Sequence, residues 1–165
     1  MTHERDGYVL TTDKDRVDVD TVHRWLSKEA YWALGRPREV VEATIAASWV
    51  WSVFAPTGEQ VGFTRAVTDA LTFGWICDVF VDPAARGRGI ASWMAGAAVG
   101  DLRAAGVDRL VLATRDAHEV YRRVGFTIPA EGRYMELDAR PSVSGSSVGG
   151  SSVGSSSVSS TAPPA

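Results

Sequence analysis

Apolar and polar residues alternate, cluster and break along this chain in a way that predicts most of its elements. Tyr8–Thr12 is short and bounded by polar residues, as an edge-like strand would be. Asp18 is placed to cap a helix, with Asp20 in its first turn, and Val22, Trp25 and Leu26 then recur at helical spacing. Gly35 and Pro37 punctuate the chain, and Val41, Ile45 and Ser48 mark one face of a second helix that opens at Pro37. Trp49–Phe54 and Gln60–Thr68 read as two strands joined by a turn at Pro56-Thr57-Gly58. In the second of these, Val61, Phe63 and Val67 fall on one face, interrupted by Arg65. Arg65 is either a snorkelling or edge-exposed arginine or a group facing a cleft.

Phe73–Val81 is the most apolar run and predicts a strand buried on both faces. A long helix follows, with Ile90, Trp93, Met94, Ala97 and Ala98 at helical spacing and Gly106 as its stop. Arg109–Ala113 is a short apolar strand, and a right-handed crossover would make it parallel to Phe73–Val81. Asp116-Ala117-His118-Glu119 resembles a capping box that opens a last helix, with Ala117, Val120, Tyr121 and Val124 on one face. Tyr134–Leu137 is the final strand candidate. After Pro141 the residues become Ser, Gly and Val with almost no charge, a composition that cannot offset its own ordering entropy. The expected organisation is a flexible N-terminus over 1–7, one folded domain over 8–138, and a disordered Ser/Gly/Val-rich tail over 139–165.

Composition narrows the function. Length 165 suits one domain, and a net charge of −3 with a pI near 5.6 provides no basic footprint for nucleic acid. One cysteine excludes an internal disulfide and suits a reducing cytoplasm. No signal peptide or long apolar run is evident, so a cytoplasmic protein with no membrane association is expected. Three histidines and one cysteine show no metal-ligand spacing, so no metal is expected.

The chemistry concentrates at Asp82-Pro83-Ala84-Ala85-Arg86-Gly87-Arg88-Gly89-Ile90-Ala91, a strand end, a glycine-rich turn and a helix start. Such a junction aims free N–H groups and the positive end of a helix dipole at an anion. A P-loop needs Gly-Lys-Ser/Thr, and no lysine follows here. A dinucleotide fingerprint needs a third glycine where this chain has Ser92, and an acidic residue closing the next strand, whereas Asp108 precedes it. Arg86-Gly87-Arg88-Gly89-Ile90-Ala91 instead resembles the Arg/Gln-x-x-Gly-x-Gly/Ala signature of the GNAT superfamily of N-acetyltransferases. Asp78–Pro83 resembles that family's preceding strand, and Val120-Tyr121-Arg122-Arg123-Val124-Gly125-Phe126 its later Tyr-x-x-x-Gly-Phe element. The resemblance covers roughly residues 8 to 138.

It implies an α+β fold with a mixed, mostly antiparallel sheet, flanking helices and a splayed pair of parallel strands. It also implies acetyl-CoA as co-substrate and a small-molecule or peptide amine as acceptor, acetylated by direct attack in a ternary complex. Arg86, Gly87, Arg88, Gly89, Ile90 and Ala91 would hold the pyrophosphate. Backbone groups of Val79 and Val81 would bind the pantetheine arm, and Thr114 would contact the cofactor. Tyr121 matches the family's general-acid tyrosine, which protonates the departing thiolate. Asp78 is the second catalytic candidate. It stands where polyamine-type members often read Glu-Asp, but here Cys77 replaces the glutamate. Asp78 can therefore bind the acceptor's positive charge, act through water, or be a satisfied carboxylate. Tyr31 and Trp32 lie where the family commonly walls the acceptor site, and they can also be packing. With Asp78 and Asp69 they point to a small cationic or aromatic amine. Cys77 reads as a small buried hydrophobe, Asp116 as a cap, and His118 as an exposed residue and reserve base. The competing readings are an acyl-CoA sensor without turnover and a nucleotide-binding domain.

Overall fold

The computed structural model describes residues 1–138, in a unit spanning 1–128 and the start of a second unit that begins at Pro129. In the first unit a six-stranded sheet runs in sequence order: β1 (Thr2–Arg5), β2 (Tyr8–Thr11), β3 (Trp49–Phe54), β4 (Gln60–Thr68), β5 (Gly74–Val81) and β6 (Leu110–Val111). Neighbours are antiparallel except for β5 and β6, which are parallel. The fold is the mixed, mostly antiparallel architecture with flanking helices that the sequence implied.

Helices cover both faces. On one face lie α1 (Val19–Arg24), a π-helical turn (Trp25–Glu29) and α2 (Arg38–Ala47). The Asp18 side chain accepts the Thr21 N–H, as the cap reading required. Val22, Trp25, Leu26, Val41 and Ile45 are buried there against Val50, Phe63 and Phe80, with the Trp25 and Phe80 rings stacked at 5.2 Å. On the other face α3 (Ile90–Ala104) buries Ile90, Met94, Ala98 and Leu102 against Leu10, Trp51, Val53, Ala66 and Ile76. Burying a side chain of this size is worth about 1.5–3 kcal/mol, so the two cores hold the sheet between them. Trp51 Nε1 donates to Asp101 at 2.8 Å, which satisfies the one polar atom that this ring carries into the core. A short helix, α4 (His118–Arg122), follows β6.

Several expectations are corrected. Residues 1–7 carry a paired strand, β1, so they are not a free terminus, and β2 lies inside the sheet with β1 as its edge. β1 reads Thr-His-Glu-Arg, and charged side chains on an edge protect it from pairing with other chains. Pro37 is the residue before α2, with ψ at 150°, and does not occupy its first turn. Val61 does not share a face with Phe63: a register shift between Val53 and Phe54 moves it to the α3 core, while Phe63 packs on the α1/α2 side. Val67 is exposed. Tyr134–Leu137, in the second unit, forms no strand. The Ser/Gly/Val-rich tail lies outside the described residues.

Candidate active site

Two irregularities in β5 build the site. The first is where its pairing with β6 stops. Only Gly74↔Leu110 and Trp75↔Val111 are paired, so the stretch from Ile76 to Val81 has no strand partner on that side among the described residues. The second is a bulge. Arg65 pairs with Cys77 and Phe63 with Phe80, so Asp78 and Val79 together oppose Thr64. Asp78 takes φ of 53°, a left-handed conformation that aspartate tolerates better than most residues. Without the extra residue Asp78 would point toward α3. With it, Asp78 joins Cys77 on the α1/α2 face, and Val79 and Val81 turn toward the α3 core.

Asp78 is buried and fully engaged. Trp32 Nε1 donates to its Oδ1 at 3.1 Å; Arg36 and Arg65 donate to Oδ2 at 2.6 and 2.7 Å. Arg65 also donates to the Ser48 hydroxyl at 3.0 Å. Burial pushes the Asp78 carboxyl up, but the two guanidinium groups outweigh it and hold the acid below the usual carboxylate range. A carboxylate so held is a poor proton acceptor, and its charge is already answered. Of the three readings of Asp78, this geometry favours the satisfied carboxylate over a group that binds the acceptor's positive charge or acts through water. Asp69 is also consumed, by the N–H groups of Leu71, Thr72 and Phe73 and the Thr72 hydroxyl.

Tyr31 and Trp32 extend this cluster. Their rings meet edge to face at 4.9 Å, and the Arg115 guanidinium lies 3.8 Å from the Tyr31 ring centre. Tyr121, on α4, is buried with its ring edge-on to Phe126 at 6.0 Å. Its hydroxyl has no hydrogen-bond partner among the described residues. Burial chiefly, with the nearby Tyr31 and Asp116, pushes its phenol up to about 12. Cys77 on β5 is likewise pushed up by burial, to about 11, which leaves it a neutral thiol.

The turn after β5 is open. Asp82 caps a single helical turn at Pro83–Ala85 by accepting the Ala84 N–H. Arg86 Nε then donates to the Val81 carbonyl at 3.0 Å, which anchors the strand end. Gly87 and Gly89 have φ of 76° and 71°, so both need to be glycine. Among the described residues nothing accepts from the N–H groups of Gly87, Arg88 or Gly89. A Cβ at Gly87 would meet open space. With Ile90 and Ala91 opening α3, these groups fit a diphosphate. Arg5 was not anticipated: it donates to the Arg88 carbonyl at 3.0 Å and lies over the Trp93 ring at 4.6 Å. It is 83 residues away in sequence, which no local pattern reveals. Arg36, 42 residues from Asp78, was missed for the same reason.

Other expectations resolve simply. Asp116 does not cap α4; the Thr114 hydroxyl accepts the Ala117 N–H at 3.0 Å. His118 is exposed. A hollow of about 650 Å³ beside α1 is lined by Asp18, Arg24, Gln60 and Asp82 but by neither Tyr121 nor Asp78, so it is not where these groups converge. Among the described residues no group of His, Cys, Asp and Glu could hold a metal ion, and no helix is long and apolar enough to cross a membrane.

Residues 19–126 match the model of the Acetyltransferase (GNAT) family. The chain belongs to this family. A solved structure from Xanthomonas campestris, assigned to the same family, is 36% identical with a TM-score of 0.74, over 79% of this chain and 92% of that one. FG08082 of Gibberella zeae, assigned as an acetyltransferase, is 29% identical over 108 residues, 54% of this chain. The matched stretch spans 61% of that relative's length. Rv2747 of Mycobacterium tuberculosis, solved in complex with CoA and NLQ, has the same fold at 21% identity and a TM-score of 0.63, over 76% of this chain and 75% of its own. The six-stranded sheet with its parallel β5–β6 pair is thus the GNAT fold.

Proposed function

We propose that this GNAT enzyme moves an acetyl group from acetyl-CoA to a primary amine of a small molecule or peptide, by direct attack in a ternary complex in the cytoplasm. The observation that carries this is the gap between β5 and β6, which opens beside a turn with unpartnered N–H groups. The turn from Arg86 to Ala91 binds the diphosphate, and Arg86 and Arg88 add charge to it. The free edge of β5 at Val79 and Val81 receives the pantetheine arm through backbone groups. An N–H near Val79 faces the thioester oxygen and stabilises the negative charge that develops there. Thr114 contacts the cofactor.

The amine nitrogen forms a bond to the acetyl carbon as the carbon–sulfur bond breaks. The proton lost from nitrogen is balanced by one delivered to sulfur, and Tyr121 is the acid that delivers it. Its raised pKa keeps the phenol protonated throughout the physiological range. Against an ordinary thiol near ~8.5, transfer from a phenol at about 12 would be uphill by roughly 5 kcal/mol. Asp78 takes no proton: it positions Trp32, Arg36 and Arg65.

The test is thiol release from acetyl-CoA with a panel of amines, with acetylated product identified by mass. Amine-dependent release is expected. The second reading is an acyl-CoA sensor without turnover, favoured by one observation: Asp78 is locked by two arginines and is not free as a base. Binding of acetyl-CoA with no release by any amine would support the sensor and overturn the enzyme reading.

A further inference from the structure

The cluster around Asp78 is unbalanced. Asp78 has a side chain only 1% exposed and carries one negative charge, yet two guanidinium groups bind the same oxygen, Oδ2. Partly buried charge is costly unless it is paired, and here two guanidinium groups share one carboxylate. The Arg65 side chain is 12% exposed and that of Arg36 is 21% exposed, so Arg36 keeps the larger open surface. Arg36 has one donor on Asp78 and others to spare, because a guanidinium carries five N–H groups.

The excess charge continues along the wall. Trp32 is bonded to Asp78, Tyr31 packs on Trp32, and Arg115 lies on Tyr31. The Asp116 carboxylate is near enough to Tyr121 to help raise its phenol. Arg36 and Arg65 thus share the single charge of Asp78, and Arg115 adds a third guanidinium on Tyr31. An amine with an additional positive charge would be repelled here. An amine that also bears a carboxylate would find a planar, forked donor matched to it.

We propose that the acceptor is an amine carrying a carboxylate, as an amino acid does, with Arg36 as the group that binds the carboxylate and Arg115 as a second cation at the rim. This rests on the acetyltransferase reading above. It replaces the cationic amine that Asp78 and Asp69 indicated in the sequence, because both carboxylates are already engaged within the protein.

The test uses the full chain and acetyl-CoA, with matched acceptors. L-Phenylalanine is compared with phenylalaninamide and 2-phenylethylamine, β-alanine with propylamine, and spermidine represents a polycation. A charge-assisted contact implies about 10- to 100-fold higher kcat/KM for the acids, carried by KM. Arg36→Gln should raise KM for the acids by a similar factor and leave KM for the neutral amines within about twofold. Arg115→Gln, at an exposed position, should do the same more weakly, and it keeps the test valid if the Arg36 variant folds poorly. Faster turnover of the neutral amines or spermidine overturns this inference and leaves the acetyltransferase reading standing. Binding of acetyl-CoA without acetylation of any carboxylate-bearing amine also overturns it. Failure to bind acetyl-CoA removes the reading beneath it as well.

Discussion

Replacing Asp78 by Asn separates a held counter-ion from a catalytic base. Asparagine keeps the shape, tolerates φ of 53°, and still accepts from Trp32 Nε1, so the charge alone is lost. Arg36 and Arg65 are then left facing a neutral amide. Breaking a buried pair by removing one partner costs about 3–5 kcal/mol. The retained geometry places Asp78→Asn near the lower end, about 3 kcal/mol, or roughly 10 °C in Tm for a domain of this size. The pH dependence has a definite sign. The Asp78 carboxyl titrates lower in the folded protein than in the unfolded chain. Its contribution is therefore fully present above the ordinary carboxylate range near ~3.9, and it disappears as pH falls through the lowered native value. Thermal melts followed by circular dichroism from pH 8 downward should show a constant gap between the two proteins to about pH 5, narrowing in stronger acid. A variant as stable as the parent at pH 7 but without turnover would refute the counter-ion role and restore Asp78 as a base.

Tyr121→Phe should lower kcat by about 10²- to 10⁴-fold while acetyl-CoA affinity stays within twofold, as judged by titration calorimetry. Because the phenol is pushed up to about 12, Tyr121 should keep its proton across the whole assay range. Any alkaline loss of rate below pH 10 should therefore persist in the Tyr121→Phe variant's residual activity. Gly89→Ala places a side chain at φ of 71° and should cost about 1–2 kcal/mol, seen as a higher KM for acetyl-CoA with kcat nearly unchanged. Arg5→Ala removes the contact with the Arg88 carbonyl and should also raise that KM, by a few-fold, without changing the acceptor KM.

The sequence carried those features that depend on neighbours. Asp18 and Thr21 are three residues apart, and their cap could be read directly. The faces of α2 and α3 followed from the spacing of Val41 and Ile45, and of Ile90, Met94 and Ala98. The glycine turn could be read because Gly87 and Gly89 are glycine for a backbone reason. What escaped depends on distant partners or on register. β1 has no apolar alternation and exists because β2 offers it a hydrogen-bonding edge. The bulge at Asp78 leaves no mark in composition, yet it decides which face the carboxylate meets. The arginines that neutralise Asp78 come from 42 residues before it and from 13 residues before it. A sequence reading could nominate Asp78, but it could not show that its charge was already answered.

The most direct measurement is calorimetric binding of acetyl-CoA against acetylated pantetheine, which carries the thioester arm without the diphosphate. If the N–H groups from Gly87 to Ala91 grip the diphosphate, acetyl-CoA binds at least tenfold more tightly, and Gly89→Ala erases most of that advantage. Equal affinity for the two ligands, or an advantage untouched by Gly89→Ala, would contradict the account.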